Sequence, residues 1–329
     1  QSATLSSLAI DEMFGSILND DPKLLAFTDS VQDASHRAGF FTARTYNFTF
    51  RTALQHVIDD AGPDGLPLPE VGKRLLTYWA VARPGRPGSV KAAMAALTPP
   101  DLRQYQPYLD FRNNPAVNKP PRDLRDRIET RLTWEAVSQF GVMMTHGRTL
   151  EQNGSSCLGW DREIIGRTTN ALRDRLPGVD PLFMKVAPEK WLLWLYGLLQ
   201  RYRERGALNH PYLKPCARQN FWGKYPFGRV IPGRETHPPA LRYRPSLMVT
   251  QPQRDHEFIL SPTRGGRPPW PIVWSRRALD LPNMEETGLL DLLRAALTGG
   301  AETGLFVKLH QDGADRKSGG EGKGVDVGW

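Results

Sequence analysis

A short apolar run, Leu24-Leu25-Ala26-Phe27-Thr28, constrains the fold of this chain more than any other stretch. Asp20-Asp21-Pro22 fences it in front and Asp29-Ser30 behind. A run this short, with charged flanks and no polar–apolar alternation, reads as a strand buried on both faces, the pattern of a parallel sheet. The chain then turns directly into helix. Ser30 suits the N-cap, and Asp33 three residues on can reach back as in a capping box. Val31, Ala34, Ala38 and Phe41 follow at spacings of three and four, which puts them on one helix face. Thr28, Asp29, Ser30 and Gln32 therefore stand where a strand ends and a helix begins. In open α/β sheets that crevice takes ligands, and a helix N-terminus there favours phosphate.

These residues resemble a family. LLAFTDSVQDASHRAGFF is similar to the fourth motif of large bacterial DEAD/DEAH-box superfamily-2 helicases, where a strand runs into F-S/T-D-S/N-x-Q-D-A. Phe27, Thr28, Asp29, Ser30, Gln32, Asp33 and Ala34 fill that pattern. Val31 stands where many members carry Arg, which removes whatever that side chain contributes there. Phe140-Gly141 followed by Gly147-Arg148-Thr149-Leu150-Glu151 resembles an F-G…G-R-T-L-E stretch further along the same branch.

The resemblance implies a mixed α/β, mostly helical chain. It would open with the start of the second RecA-like parallel α/β lobe and continue into a large helical, partly winged-helix-like insertion. It also implies that Thr28, Ser30 and Gln32 contact the nucleic-acid backbone. Asp29 and Asp33 would hold the turn, because a carboxylate facing phosphate is repelled. Arg148 is a further candidate contact. The chain has no G-x-x-x-x-G-K-S/T phosphate loop, no Asp-Glu-x-His or Asp-Glu-Ala-Asp to hold magnesium, and no Q-x-x-G-R-x-x-R arginine motif. The expectation is an internal fragment of a larger ATPase. ATP and Mg would belong to the full-length parent and its missing first lobe, and this piece would hold neither alone.

Charge bears on the partner. Net charge is +8, supplied mostly by arginine, with a pI near 9.6. That balance favours a polyanion such as DNA, with RNA as an open alternative, and a planar guanidinium suits phosphate. An apolar share of 40% and a charged share of 24% are those of a globular protein. Cys157 and Cys216 form no C-x-x-C, which fits a reducing, cytoplasmic setting. No apolar run approaches the ~20 residues that cross a bilayer.

Read in order, Leu5, Leu8, Ala9, Met13 and Ile17 trace a helix over 4–18. A second helix after the motif is expected over 49–58, before Gly62-Pro63-Asp64-Gly65 breaks the pattern. Further helices are expected over 71–82, 90–97 and 123–140, the first two separated by the loop Arg83-Pro84-Gly85-Arg86-Pro87-Gly88, whose arginines read as a solvated turn or as a phosphate contact. In the third, Arg122, Arg125, Arg127 and Arg131 interleave with Asp123, Asp126 and Glu129, the mark of a salt-bridged face. The most helical segment spans 188–208, with Trp191, Leu192, Leu195, Leu198, Leu199 and Tyr202 as its apolar stripe. Arg201, Arg203 and Arg205 crowd its last turn. They either complement the helix dipole or belong to a winged-helix module that touches DNA.

Residues 212–250 interleave Pro, Arg and aromatics, which suits stacking on single-stranded bases and equally suits a loop stapled over a core. Order resumes at Pro269, with a helix over 289–297 and a strand over 304–309. The expected division is 1–60 for the lobe start, 61–250 for the insertion and 251–314 for a second winged-helix-like unit. Residues 315–329 (DRKSGGEGKGVDVGW) read as a non-native tail of translated sequencing adapter. No catalytic residue and no metal ligand set is expected: the histidines lack ligand spacing and Ser155-Ser156-Cys157 lacks a nucleophile elbow. The alternative to a helicase fragment is a non-catalytic nucleic-acid-binding module.

Overall fold

The computed structural model describes residues 31–82, 88–141, 149–204, 208–211, 247–249, 257–259, 268–308 and 327–328, with backbone alone at 31–44, at 101 and in the strands. These residues are mostly helical and divide into two compact units, Gln1–Ala136 and Val137–Trp329.

The first unit opens with α1, Val31–Ala61, a single helix of 31 residues. It fuses the two helices expected at 30–41 and 49–58. Residues 42–48 (TARTYNF) hold neither Pro nor Gly, so nothing interrupts the i to i−4 ladder. Tyr46, Phe50, Ala53, Leu54 and Val57 in its second half are buried, at spacings of one, three and four. α2 (Val71–Ala80) and α3 (Val90–Leu97) pack with it and with each other. The Ser89 side chain caps α3 by accepting from the Ala92 amide at 3.3 Å. α4 (Gln106–Asn113), which the sequence pattern does not announce, buries Tyr108 and Phe111. α5 (Arg122–Phe140) contributes Leu124, Ile128 and Leu132, and the division between the units falls within it. α2 lies so close to α5 that a Cβ on Gly72 would sit 1.9 Å from the Glu129 carbonyl oxygen. The Gly72 amide donates to Thr133 Oγ1 at 3.1 Å, and that hydroxyl donates to the Glu129 carbonyl at 3.0 Å.

The second unit gathers α6 (Arg162–Arg175), α7 (Pro188–Glu204), α8 (Trp270–Leu279) and α9 (Glu286–Thr303) around one apolar interior running from Ile165 to Phe306. Helices from either side of the expected boundary at 250 share this interior. α6 has a clear start, since Asp161 accepts from the Glu163 and Ile164 amides at 2.8 and 3.0 Å. In α7 the buried stripe is Trp191, Trp194, Leu195, Leu198, Leu199 and Tyr202; Leu192, expected inside, is exposed. α9 runs past the expected stop at 297 through Gly299-Gly300, and the Phe306 amide folds back to donate to the Gly300 carbonyl at 2.9 Å.

The expected parallel RecA-like lobe finds no support among the described residues. From α1 to Leu247 every described element is helical, while the 4–18 helix and the Leu24–Thr28 strand lie outside the described residues. β1 (Leu247–Val249) pairs parallel with β2 (Glu257–Ile259), and β3 (Val307–Lys308) pairs antiparallel with β4 (Val327–Gly328). Pairings of two and three residues do not make the central layer of such a lobe. β3 falls within the strand expected at 304–309, and β4 within the tail set apart by composition.

Candidate nucleic-acid interface

Arg201 and Arg203, both in the last turn of α7, do not form one cluster. Residues two apart on a helix point to opposite sides, so Arg201 and Arg203 part company. Arg203 turns inward and is 1% exposed. Its Nη1 donates to the Phe140 carbonyl at 2.8 Å and to Glu151 at 2.5 Å. Its Nη2 donates to the other Glu151 oxygen at 2.6 Å and to Gln200 Oε1 at 2.6 Å. The Trp160 ring centroid lies 6.0 Å from its guanidinium. A cation enclosed this way is held by paired charge and good hydrogen-bond geometry. Arg203 is therefore corrected from candidate phosphate contact to internal clasp: it fastens Phe140 and Glu151, the two ends of the F-G…G-R-T-L-E stretch, to α7. Thr149 and Leu150 of that stretch are buried as well.

Arg201 turns toward α8. Its side chain is 34% exposed, pairs with Glu204 at 2.9 Å, and sits 5.7 Å from the Trp270 ring centroid. Trp270 and Trp274, one turn apart, stack with centroids 5.8 Å apart and planes 6° from parallel. Trp274 is fixed in turn. Its Nε1 donates to the Trp194 carbonyl at 2.9 Å, and its ring fills the space that a Cβ on Gly197 would need, 2.0 Å away. Trp194 Nε1 donates to Ser275 Oγ at 2.8 Å, completing the seam between α7 and α8.

Of the other candidates, Gln32 and Asp33 lie in the first turn of α1, where the backbone alone is described. Thr28, Asp29, Ser30, Arg148 and Arg205 lie outside the described residues, as do 83–87, Cys216 and most of 212–250. The arginines of α5 do form a salt-bridged face. Arg122 reaches Asp126 at 3.7 Å and Arg125 reaches Glu129 at 2.7 Å, while Arg127 lies over the Tyr105 ring. Arg131, paired with Glu135 at 2.7 Å, is buried rather than solvated.

Sequence reasoning missed the Trp270–Trp274 pair, and it missed a signal that points there. Residues 205–269, which join α7 to α8, hold eleven Lys and Arg against three Asp and Glu, a net of +8 equal to that of the whole chain. The remainder of the protein is neutral. A running count of charge finds this where helical periodicity does not.

Among the described residues no group of three His, Cys, Asp or Glu is placed to hold a metal ion, and no helix is long and apolar enough to cross a membrane. Without a phosphate loop or a magnesium-holding carboxylate pair in its sequence, the chain does not fit an ATP–Mg site of the helicase kind. Comparison with protein-family models, with curated proteins and with solved structures finds no match.

Proposed function

We propose that this chain is part of a superfamily-2 DNA helicase or translocase, acting in the cytoplasm. It would supply nucleic-acid contacts from the start of a second RecA-like lobe and from a helical insertion. ATP and Mg would be held by other parts of the polypeptide, so this chain alone does not hydrolyse ATP. The observation that carries the reading is the string Phe27-Thr28-Asp29-Ser30 directly before α1, whose first described turn holds Gln32, Asp33 and Ala34. Hydroxyl and amide donors at a helix N-terminus suit a phosphate backbone.

The test is the complete reading frame. Ahead of Gln1 it should contain a phosphate loop and an Asp-Glu pair, and the purified parent should hydrolyse ATP faster when DNA is present. A complete frame without those motifs removes the motor reading.

A second reading, a nucleic-acid-binding module without a motor, is favoured by the confinement of the whole +8 to residues 205–269. Binding would then be electrostatic and indifferent to ATP. If about five phosphates are neutralised, log affinity falls against log salt with a slope of roughly −4.5 on duplex DNA. Absence of binding at low salt removes both readings.

A further inference from the structure

We propose that Trp270, stacked on Trp274 beneath Arg201 and on one face of α8 with Arg277, is a base-stacking site for single-stranded nucleic acid. The proposal rests on the nucleic-acid reading above and names the form of the ligand.

Three observations converge on it. The first is the state of the indoles. Trp191 and Trp194, one to two turns from Gly197 along α7, are 1% and 0% exposed and belong to the interior. Trp270 and Trp274 are only partly buried, so the stack is not sealed in the interior. The pair is already parallel and anchored through Trp274, so a base added to it needs little reordering of the protein.

The second is the cationic frame. The Arg201 guanidinium lies over the Trp270 ring, 5.7 Å from its centroid, and Arg277 is exposed on the same face of α8 as Trp270 and Trp274, at i+7 and i+3. Aromatic faces bordered by guanidinium groups are how sequence-tolerant sites take bases by stacking and the backbone by charge. Glu204 takes up part of the Arg201 charge, which leaves Arg277 as the exposed cation nearer a phosphate.

The third is position. Trp270 is the first residue of α8 and Arg201 lies in the last turn of α7. In sequence, the stretch with a net charge of +8 therefore begins four residues after Arg201 and ends at the residue before Trp270. Charge complementarity selects a polyanion, and the partly exposed indole stack selects one with free bases over a duplex, whose bases are already stacked on each other.

The experiment uses the full chain and a fluorescently labelled oligo(dT) strand, with affinity followed by anisotropy over a salt series. Trp270→Leu keeps apolar volume and removes the π face. It should weaken binding roughly five- to hundred-fold at every salt concentration and leave the salt slope unchanged. Arg277→Gln should make the slope shallower by about 0.7. The unmodified chain should prefer oligo(dT) to a duplex of equal length, and Trp270→Leu should erase that preference. As a readout that needs no variant, ultraviolet cross-linking of a 5-iodouracil strand should map to Trp270 by mass spectrometry. Unchanged affinity in a folded Trp270→Leu protein, or cross-links only at other peptides, overturns the stacking site and leaves nucleic-acid binding standing. Failure of the unmodified chain to bind oligo(dT) at low salt overturns both.

Discussion

The two units handle charge in opposite ways. In residues 1–136 sixteen Lys and Arg face sixteen Asp and Glu, so the first unit is neutral. Most of its ion pairs close within one helix, as at Arg122–Asp126, Arg125–Glu129 and Arg131–Glu135. The second unit carries the whole +8. Among its described residues, pairs within one helix, such as Arg167–Glu163 and Arg201–Glu204, are matched by pairs that tie distant segments: Arg203 to Glu151, Arg175 to Glu302, Lys190 to Asp280. A helix-local pair reports on helix stability alone, whereas a long-range pair reports on tertiary fit. The second unit thus has more pairs that couple electrostatics to tertiary folding, and its net charge gives a polyanion a reason to dock.

The largest expected effect is at the clasp. Glu151→Ala leaves the Arg203 guanidinium enclosed with only the Phe140 carbonyl and Gln200 as acceptors. Breaking a buried pair from one side costs about 3–5 kcal/mol. The urea midpoint should fall accordingly. Hydrogen exchange should accelerate in α6 to α9 and stay unchanged in α1 to α3. Equal loss of protection in both units would break the comparison, because it would mean that the clasp supports the whole chain.

Next come two close approaches, one in each unit. Gly72→Ala drives a methyl group into the Glu129 carbonyl, which is backbone and cannot step aside. Gly197→Ala drives one into the Trp274 ring, which can move only by giving up its bond to the Trp194 carbonyl. Overpacking costs about 1–3 kcal/mol. Thermal unfolding should place Gly72→Ala at the upper end. Gly197→Ala should in addition weaken oligo(dT) binding, because it displaces the Trp274–Trp270 stack.

Much of this helical scaffold is legible in the sequence. α3 appears at its expected bounds and α2, α5 and α7 within a few residues, because apolar periodicity is marked in α2, α3 and α7 while Pro121 and Gly141 bracket α5. α6 escaped notice because its inner face alternates Ile and Leu with Thr168 and Thr169. Those hydroxyls are hidden by bonds to carbonyls one turn back, at 2.8 and 2.9 Å. Leu192 and Trp194 exchanged places for a related reason. A stripe broad enough to cover half a helix does not say which edge meets α8; the Ser275 hydroxyl, waiting for the Trp194 indole, decides it. The clasp was the least legible feature. Arg201, Arg203 and Arg205 look equivalent as a string, and only the fold brings Glu151 to one of them.

A smaller, pH-dependent effect belongs to the second unit. Burial pushes the Tyr202 hydroxyl well above its ordinary range. In the unfolded chain it ionises near pH 10. Below that value both states keep the proton and stability is flat. Above it the unfolded state releases a proton that the folded state retains, so stability falls by up to about 1.4 kcal/mol per pH unit. Urea midpoints between about pH 8 and 11 should show that decline, and Tyr202→Phe should reduce it. An identical decline in Tyr202→Phe would assign the alkaline sensitivity to other groups.

The smallest effect is expected at Arg122 in the first unit, and its smallness is informative. Arg122 is 92% exposed, and its partner Asp126 is 3.7 Å away. Such an i,i+4 pair contributes about 0.3–0.5 kcal/mol and is screened by salt. Arg122 also stands in the first turn of α5, where a positive charge opposes the helix dipole by a comparable amount. The two contributions offset each other, so Arg122→Ala should shift stability by no more than about 0.5 kcal/mol, and high salt should move it little. Removing this cation should also leave oligo(dT) affinity within about two-fold, since the neutral unit is not where the polyanion binds. A marked loss of affinity in Arg122→Ala would place nucleic-acid contacts on α5 and move the interface away from the α7–α8 seam.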